Sequence, residues 1–239
     1  MSRAKLSVVI LTYDSAAHLA EVLASTVFAD EVLVLDSGST DETPVIAREA
    51  GARFEHQAWL GFGPQKQRAV ELARHDWVYV LDSDEVILPP LREEILATLA
   101  DPKHAGYTVP RLNHFFGRPL RHGGLYPDVT LRLFDRRRGR FSDDAVHERV
   151  LVDGSVGTLK HPMKHYAYDT IEQFIAKQNR YSTLGARPNR LKALTNPPWT
   201  FVRMYLLRGG FLDGWPGFVA AALYSQYTFW KYAKGSFAP

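Results

Sequence analysis

Three short apolar runs constrain this chain most. They are Leu6-Ser-Val-Val-Ile-Leu-Thr12, Glu31-Val-Leu-Val-Leu35 and Trp77-Val-Tyr-Val-Leu81. Runs this short, apolar and rich in β-branched residues predict strands buried on both faces. Helical spacing fills the intervals. Ala16 to Val27 predicts a helix capped by Asp14 or Ser15. Thr43 to Ala50 predicts another, closed by Gly51. Pro64 to Arg74 carries a proline in its first turn. A weak strand is expected near 53–56, and a helix from about Pro90 to Leu99. Strands alternating with helices imply a mostly parallel sheet with right-handed crossovers, an α/β fold.

Ligands of such sheets bind at the carboxyl ends of the strands. Asp82-Ser83-Asp84-Glu85 emerges there, directly behind the third run. Two aspartates one residue apart suit a hard cation that fills its shell with diphosphate oxygens and water. Taken alone, acidic residues after a strand more often form a solvated turn or a helix cap.

After about Asp101 the rhythm changes. Gly106 to Pro110 and Val129 to Phe134 predict strands, separated by a loop rich in Arg, His and Gly, and Thr170 to Leu184 predicts a helix. The expected organisation is an α/β half over 1–100, a second half over 101–190 and a basic, aromatic helical extension over 191–239. The chain has no cysteine, which excludes disulfides and thiolate chemistry. Its start runs straight into a strand with no signal-peptide segment, which fits cytoplasmic residence.

Several motifs together resemble family 2 glycosyltransferases. They are Val-Val-Ile-Leu-Thr-Tyr-Asp (8–14), Val-Leu-Asp-Ser-Gly-Ser-Thr-Asp (34–41) and Leu-Asp-Ser-Asp-Glu (81–85). Gly61 to Lys66, His122 to Asp128 and Val146-His147-Glu148 are similar to the bacterial branch that adds glucose to the inner core of lipopolysaccharide. Asp14 stands where the family usually has Asn, Ser83 where Ala is common, and Ser37 in place of a second Asp.

The resemblance implies a GT-A fold, with 1–100 the nucleotide-sugar-binding half and 101–190 the acceptor-binding half of one domain, and inverting, metal-dependent transfer from a UDP-sugar, UDP-glucose by analogy. Thr12 and Tyr13 would meet the base, and Asp36 the uracil or ribose. Asp41 reads equally well as a cap. Lys66 would oppose diphosphate charge or be a solvated helix lysine. Asp84 would ligate Mg²⁺ or Mn²⁺, with Asp82 on ribose, sugar or a metal-bound water. Glu148 is the candidate base, with Asp144 and Asp128 as alternatives, and His147 would orient it or touch metal or phosphate. Arg121 and His122, with Asp128 and His147, are acceptor candidates. An anionic glycan or glycolipid acceptor would suit the arginines of 118–140, although Arg136 to Arg138 read as a solvated hairpin.

Residues 1–172 carry 20 basic and 25 acidic side chains, whereas 173–239 carry nine basic and one acid, Asp213. The tail is also dense in aromatics but short of the roughly 20 apolar residues that span a bilayer. Residues 195–239 therefore read as an interfacial attachment to a membrane surface, on the cytoplasmic face of the inner membrane, or as a helical pair packed on protein. No nucleic-acid module is recognisable, and the oligomeric state is open. Three rivals stand beside the transferase: a dinucleotide oxidoreductase, which lacks its glycine turn after Thr12; a sugar nucleotidyltransferase, which lacks its basic Gly-rich loop; and a non-enzymatic scaffold on the same fold.

Overall fold

The computed structural model describes residues 3–142 and 149–237. In chain order its elements are β1 (Leu6–Thr12), α1 (Ala16–Ala24), β2 (Glu31–Asp36), α2 (Thr43–Glu49), β3 (Arg53–His56), α3 (Phe62–Leu72), β4 (Trp77–Asp82), β5 (Glu85–Val86), α4 (Pro89–Ala100) and β6 (Gly106–Phe115). There follow β7 (Arg118–Pro119), β8 (Asp128–Asp135), β9 (Gly139–Phe141), β10 (Val150–Val152), β11 (Val156–Thr158), β12 (Met163–Tyr168), α5 (Ile171–Leu184), α6 (Arg190–Val202), a π-helical turn (Arg203–Leu207), a 3₁₀ turn (Gly210–Asp213) and α7 (Gly214–Gly235). The described chain falls into two compact units, Met1–Arg111 with Val129–Lys164, and Leu112–Asp128 with His165–Pro239.

In the first unit the strands lie in the order β3-β2-β1-β4-β8-β6. The first three contacts are parallel, with Thr12 beside Asp36 and Leu11 beside Asp82 at the carboxyl rim. β8 runs antiparallel to β4, pairing Tyr79 with Leu133. The sheet is thus mixed, parallel over β1 to β4 with β8 antiparallel. Val9, Leu33, Val78 and Val80 pack with Ala69 and Val70 of α3. Val8, Ile10, Val34, Tyr79 and Leu81 alternate with them and are also fully buried. Burial of both alternating sets is why these strands read as unbroken apolar runs.

α1 is not capped by its own leading residue. Ser15 makes no side-chain cap bond, and the Ala16 amide instead donates to Asp41 Oδ2 across the rim at 3.1 Å. Asp41 Oδ1 also accepts from the Thr43 amide of α2 at 3.0 Å, so its capping reading holds. Lys66 stands in α3, which is helical from Phe62, and Gly61 before it takes a left-handed φ of 107°.

The second unit is built on α5, α6 and α7. Phe115, Leu120, Tyr168, Phe174, Ala220 and Leu223 form its core. Thr170 and Asn189 cap α5 and α6 by accepting from the Gln173 and Lys192 amides. Pro197 and Pro198 lie inside α6, each removing a backbone donor, and the helix passes into its π-helical turn at Arg203. Gly217 of α7 lies so close to the Gly210 carbonyl that an added Cβ would fall 1.9 Å from it. No helix among the described residues is long and apolar enough to cross a membrane.

Candidate active site

Three loops meet where β1, β2 and β4 end, and their own side chains tie them together. Asp14, at φ 44°, accepts from the Thr40 amide at 2.8 Å, and its own amide donates to Ser39 Oγ at 2.8 Å. The Ser15 amide donates to Thr43 Oγ1 at 2.8 Å. Ser83 Oγ donates to Ser15 Oγ at 2.9 Å. Gln65 of α3 donates to Ser37 Oγ at 3.1 Å. Of the three departures from the family's usual residues, Asp14 and Ser83 thus each hold one loop to another, and Ser37 holds its loop to α3.

Asp36 is buried and organises the second loop. Oδ1 accepts from Thr12 Oγ1 at 2.8 Å and from Ser39 Oγ at 2.5 Å. Oδ2 accepts from the Gly38 and Ser39 amides at 2.9 and 2.8 Å. A carboxylate has about four acceptor positions, and four donors take them here. Burial pushes its pKa up, but the bonds from Ser39, Thr12 and Gly38 outweigh burial and hold it below the usual carboxylate range. The Thr12 hydroxyl is spent on the same contact. Tyr13 beside it is 65% exposed, so its ring faces outward at the rim.

The Asp82 to Glu85 segment is a tight turn from β4 into β5. Asp82 is engaged on both oxygens by cations. Lys66 Nζ lies 3.5 Å from Oδ1, and Arg132 Nη2 donates to Oδ2 at 2.6 Å. Lys66 is only 14% exposed, which removes the solvated reading. Arg132 also donates to Glu85 Oε1 at 2.5 Å, and Arg111 Nη1 lies 3.4 Å from the same oxygen. Glu85 Oε2 accepts from the Asp82 amide at 3.1 Å, closing the turn. Burial raises the Asp82 pKa, yet Arg132 and then Lys66 drive it far below the carboxylate range. Asp82, Glu85, Lys66, Arg111 and Arg132 together give the turn nearly balanced charge before Asp84 is counted.

Arg132 and Glu85 were not singled out from the sequence. Arg132 appeared there as one basic residue of a long arginine-rich stretch. In the structure it is 4% exposed and Glu85 is fully buried. A signal existed: Leu131-Arg132-Leu133-Phe134 places one charge inside an apolar strand, and a buried charge needs a partner. Arg136 instead donates to the Val70 and Glu71 carbonyls, and Arg137 pairs with Asp135 and Asp76.

In the second unit, the Arg121 and His122 amides donate to Asp213 Oδ2 at 3.0 and 2.8 Å, and His122 Nδ1 lies 2.8 Å from Asp213 Oδ1. Asp128 opens β8 and is partly exposed. Asp144, His147 and Glu148 lie outside the described residues.

Residues 7–166 match Glycosyl transferase family 2. The chain belongs to that family. This transferase is 32% identical over 247 residues to the lipopolysaccharide core biosynthesis glycosyltransferase LpsC of Rhizobium meliloti (strain 1021), covering 96% of this chain and 91% of the relative. It is 30% identical over 252 residues to an uncharacterized glycosyltransferase of Rickettsia bellii (strain RML369-C), covering 96% and 85%. Among solved structures, glucosyl-3-phosphoglycerate synthase from Mycobacterium tuberculosis, in complex with Mn²⁺ and UDP-glucose, aligns at 27% identity over 46% of this chain and 44% of that one. Its TM-score is 0.39, so the fold assignment rests on the strand order and the family match. The transferase is therefore an enzyme of glycosyl transfer.

The turn suits a divalent ion by the chemistry of its donors. Asp84 brings a hard carboxylate two residues after Asp82, whose own oxygens already face Lys66 and Arg132, and no group of three or more His, Asp or Glu among the described residues could hold a metal by itself. An ion here would complete its shell with phosphate oxygens and water.

Proposed function

We propose that this enzyme transfers glucose from UDP-glucose, with inversion and in one displacement, to a hydroxyl of the lipopolysaccharide inner core or another lipid-linked, anionic glycan. The observation that carries the reading is the Asp82-Ser83-Asp84 turn at the carboxyl end of β4, with Lys66 leaning on Asp82. The name of the Rhizobium meliloti relative supports the acceptor class.

In this reading Tyr13 offers its exposed ring to the base. Thr12 and Asp36 act by fixing the loop that receives base and ribose. Lys66 opposes the diphosphate. Asp84, with Asp82 behind it, would hold Mg²⁺ or Mn²⁺, which offsets charge on the leaving diphosphate when bound. Both Asp82 oxygens already face cations, and Asp84 gives the direct bond on its place in the Asp82-Ser83-Asp84 motif. Inversion needs one base within hydrogen-bond reach of the acceptor hydroxyl. Glu148 takes that role on its motif, with Asp144 and Asp128 as alternatives and His147 as its orienting neighbour. Arg121, His122 and Asp128 contribute to acceptor recognition. Residues 195–239 attach the enzyme to the cytoplasmic face of the inner membrane.

Release of UDP from UDP-glucose, UDP-galactose and UDP-GlcNAc, followed by chromatography with Mn²⁺ or Mg²⁺ and again with EDTA, tests the donor and the ion together. Turnover of UDP-glucose above the other two, abolished by EDTA, is the expected result. No turnover of any donor with either metal would refute the reading.

A further inference from the structure

The connection between α6 and α7 exposes an unusual set of side chains. Leu206, Leu207, Phe211, Leu212 and Trp215 are 54, 65, 49, 62 and 72% exposed. Scattered exposed apolar residues are ordinary on protein surfaces, but a cluster marks a contact. These five fall within ten consecutive positions, on the π-helical turn, the 3₁₀ turn and the start of α7.

The backbone beneath them is built rather than loose. Gly209 and Gly214 take left-handed φ of 68° and 64° to fold the tip back on itself. The Leu212 amide donates to the Gly209 carbonyl at 2.9 Å, and the Gly123 amide to the Arg208 carbonyl at 2.9 Å. The Arg208 guanidinium lies directly over Gly124, leaving no room for a side chain there.

Charge distinguishes the possible occupants. Arg203 and Arg208 are exposed on the same segment. Asp213 is the one acid between 173 and 239, and its side chain is turned inward, only 8% exposed. There it accepts from the Arg121 and His122 amides and meets the His122 ring. The outer surface of the tip is therefore apolar and cationic with no acid. That combination fits the headgroup and upper acyl region of an anionic bilayer, where aromatics and leucines enter and arginines meet phosphate.

We propose that residues 206–215 form a wedge that enters the interface of an anionic bilayer, and that Asp213 fixes the Arg121–Gly124 loop to it. The loop that carries the acceptor candidates then stands at the lipid surface. This rests on the attachment reading for 195–239 and assigns it to one short tip.

The test is flotation of the full chain with vesicles of phosphatidylethanolamine and phosphatidylglycerol, against vesicles of phosphatidylcholine alone. The parent floats with the anionic vesicles. Leu207→Glu with Leu212→Glu, both at exposed positions, keeps the melting temperature and UDP-sugar hydrolysis but weakens partition at least about tenfold. Arg203→Glu weakens it about fivefold, on anionic vesicles only. Amides of 121–124 exchange more slowly on vesicle addition in the parent. If parent and leucine variant float alike, the tip assignment falls while attachment through another part of the tail stands. If the parent does not float, both fall. A parent dimer in solution that the leucine variant splits, with no flotation of either, shows that a second copy covers this face and overturns the proposal. Unchanged exchange at 121–124 overturns the link through Asp213.

Discussion

Replacing Arg132 by methionine removes a guanidinium that hydrogen-bonds both Asp82 and Glu85. The two carboxylates do not lose equally. Asp82 is 29% exposed and keeps Lys66 at 3.5 Å. Glu85 is fully buried and still has the Asp82 amide at 3.1 Å and Arg111 at 3.4 Å. Removing one partner of a buried ion pair costs about 3–5 kcal/mol, because it leaves a charge uncompensated. Since Arg111 still compensates part of Glu85, the lower end, about 3 kcal/mol, is expected. For a chain of this size each kcal/mol moves the melting temperature by roughly 2–4 °C. The expected drop is therefore about 6–12 °C by calorimetry. A second change isolates the cause. Glu85→Gln added to Arg132→Met removes the stranded charge and should restore at least about half of the loss, a coupling that independent sites would not show. A single variant melting within about 2 °C of the parent, or a double variant no more stable than the single, would refute the argument that Arg132 serves as the counter-ion of this turn.

Four further outcomes are expected. Asp84→Ala should lower kcat at least about a hundredfold while the melting temperature stays within about 2 °C, since the residue lies in a partly exposed turn; steady-state kinetics beside calorimetry check both. Lys66→Met should weaken UDP binding about tenfold by titration calorimetry, and unchanged affinity would remove Lys66 from the phosphate site. Glu31 and Asp36 are each pushed up by burial but held lower overall, Glu31 by Ser7, the Arg74 amide and Arg53, Asp36 by Ser39, Thr12 and Gly38. Their contribution is thus complete above the unfolded values near 4 and lost as pH falls through the depressed folded values; Glu31→Gln should flatten the fall of the urea midpoint between about pH 5 and pH 3. Gly217→Ala would drive a methyl into the Gly210 carbonyl and should cost about 1–3 kcal/mol, read as a lower melting temperature.

Much of the rim was legible in the sequence because it depends on local chemistry. Unbroken apolar runs identify strands buried on both faces, and polar turns behind them identify the rim. The acidic turn after Leu81 could therefore be named in advance, whereas Lys66 was named only through the family resemblance. Less legible were contacts between loops far apart in the chain. Asp41 caps α1 from 25 residues away, which no inspection of Asp14 and Ser15 could reveal. Nor was it legible that β8 runs antiparallel to β4, because nothing in an apolar run records the direction in which it pairs.

By itself the sequence determined the family, the alternation of strands and helices from β1 to β4, the carboxylates that crown β4 and a cationic, aromatic tail. These follow from residue type and spacing, which act over a few neighbours. Only the tertiary structure decided that Arg132 faces Asp82 and Glu85, that Asp36 is consumed by its own loop, and that Asp213 turns inward and leaves the tip without an acid. Each depends on which distant group desolvates a charge or supplies its partner, and the pairing of charges in a folded interior is fixed by packing across the whole chain.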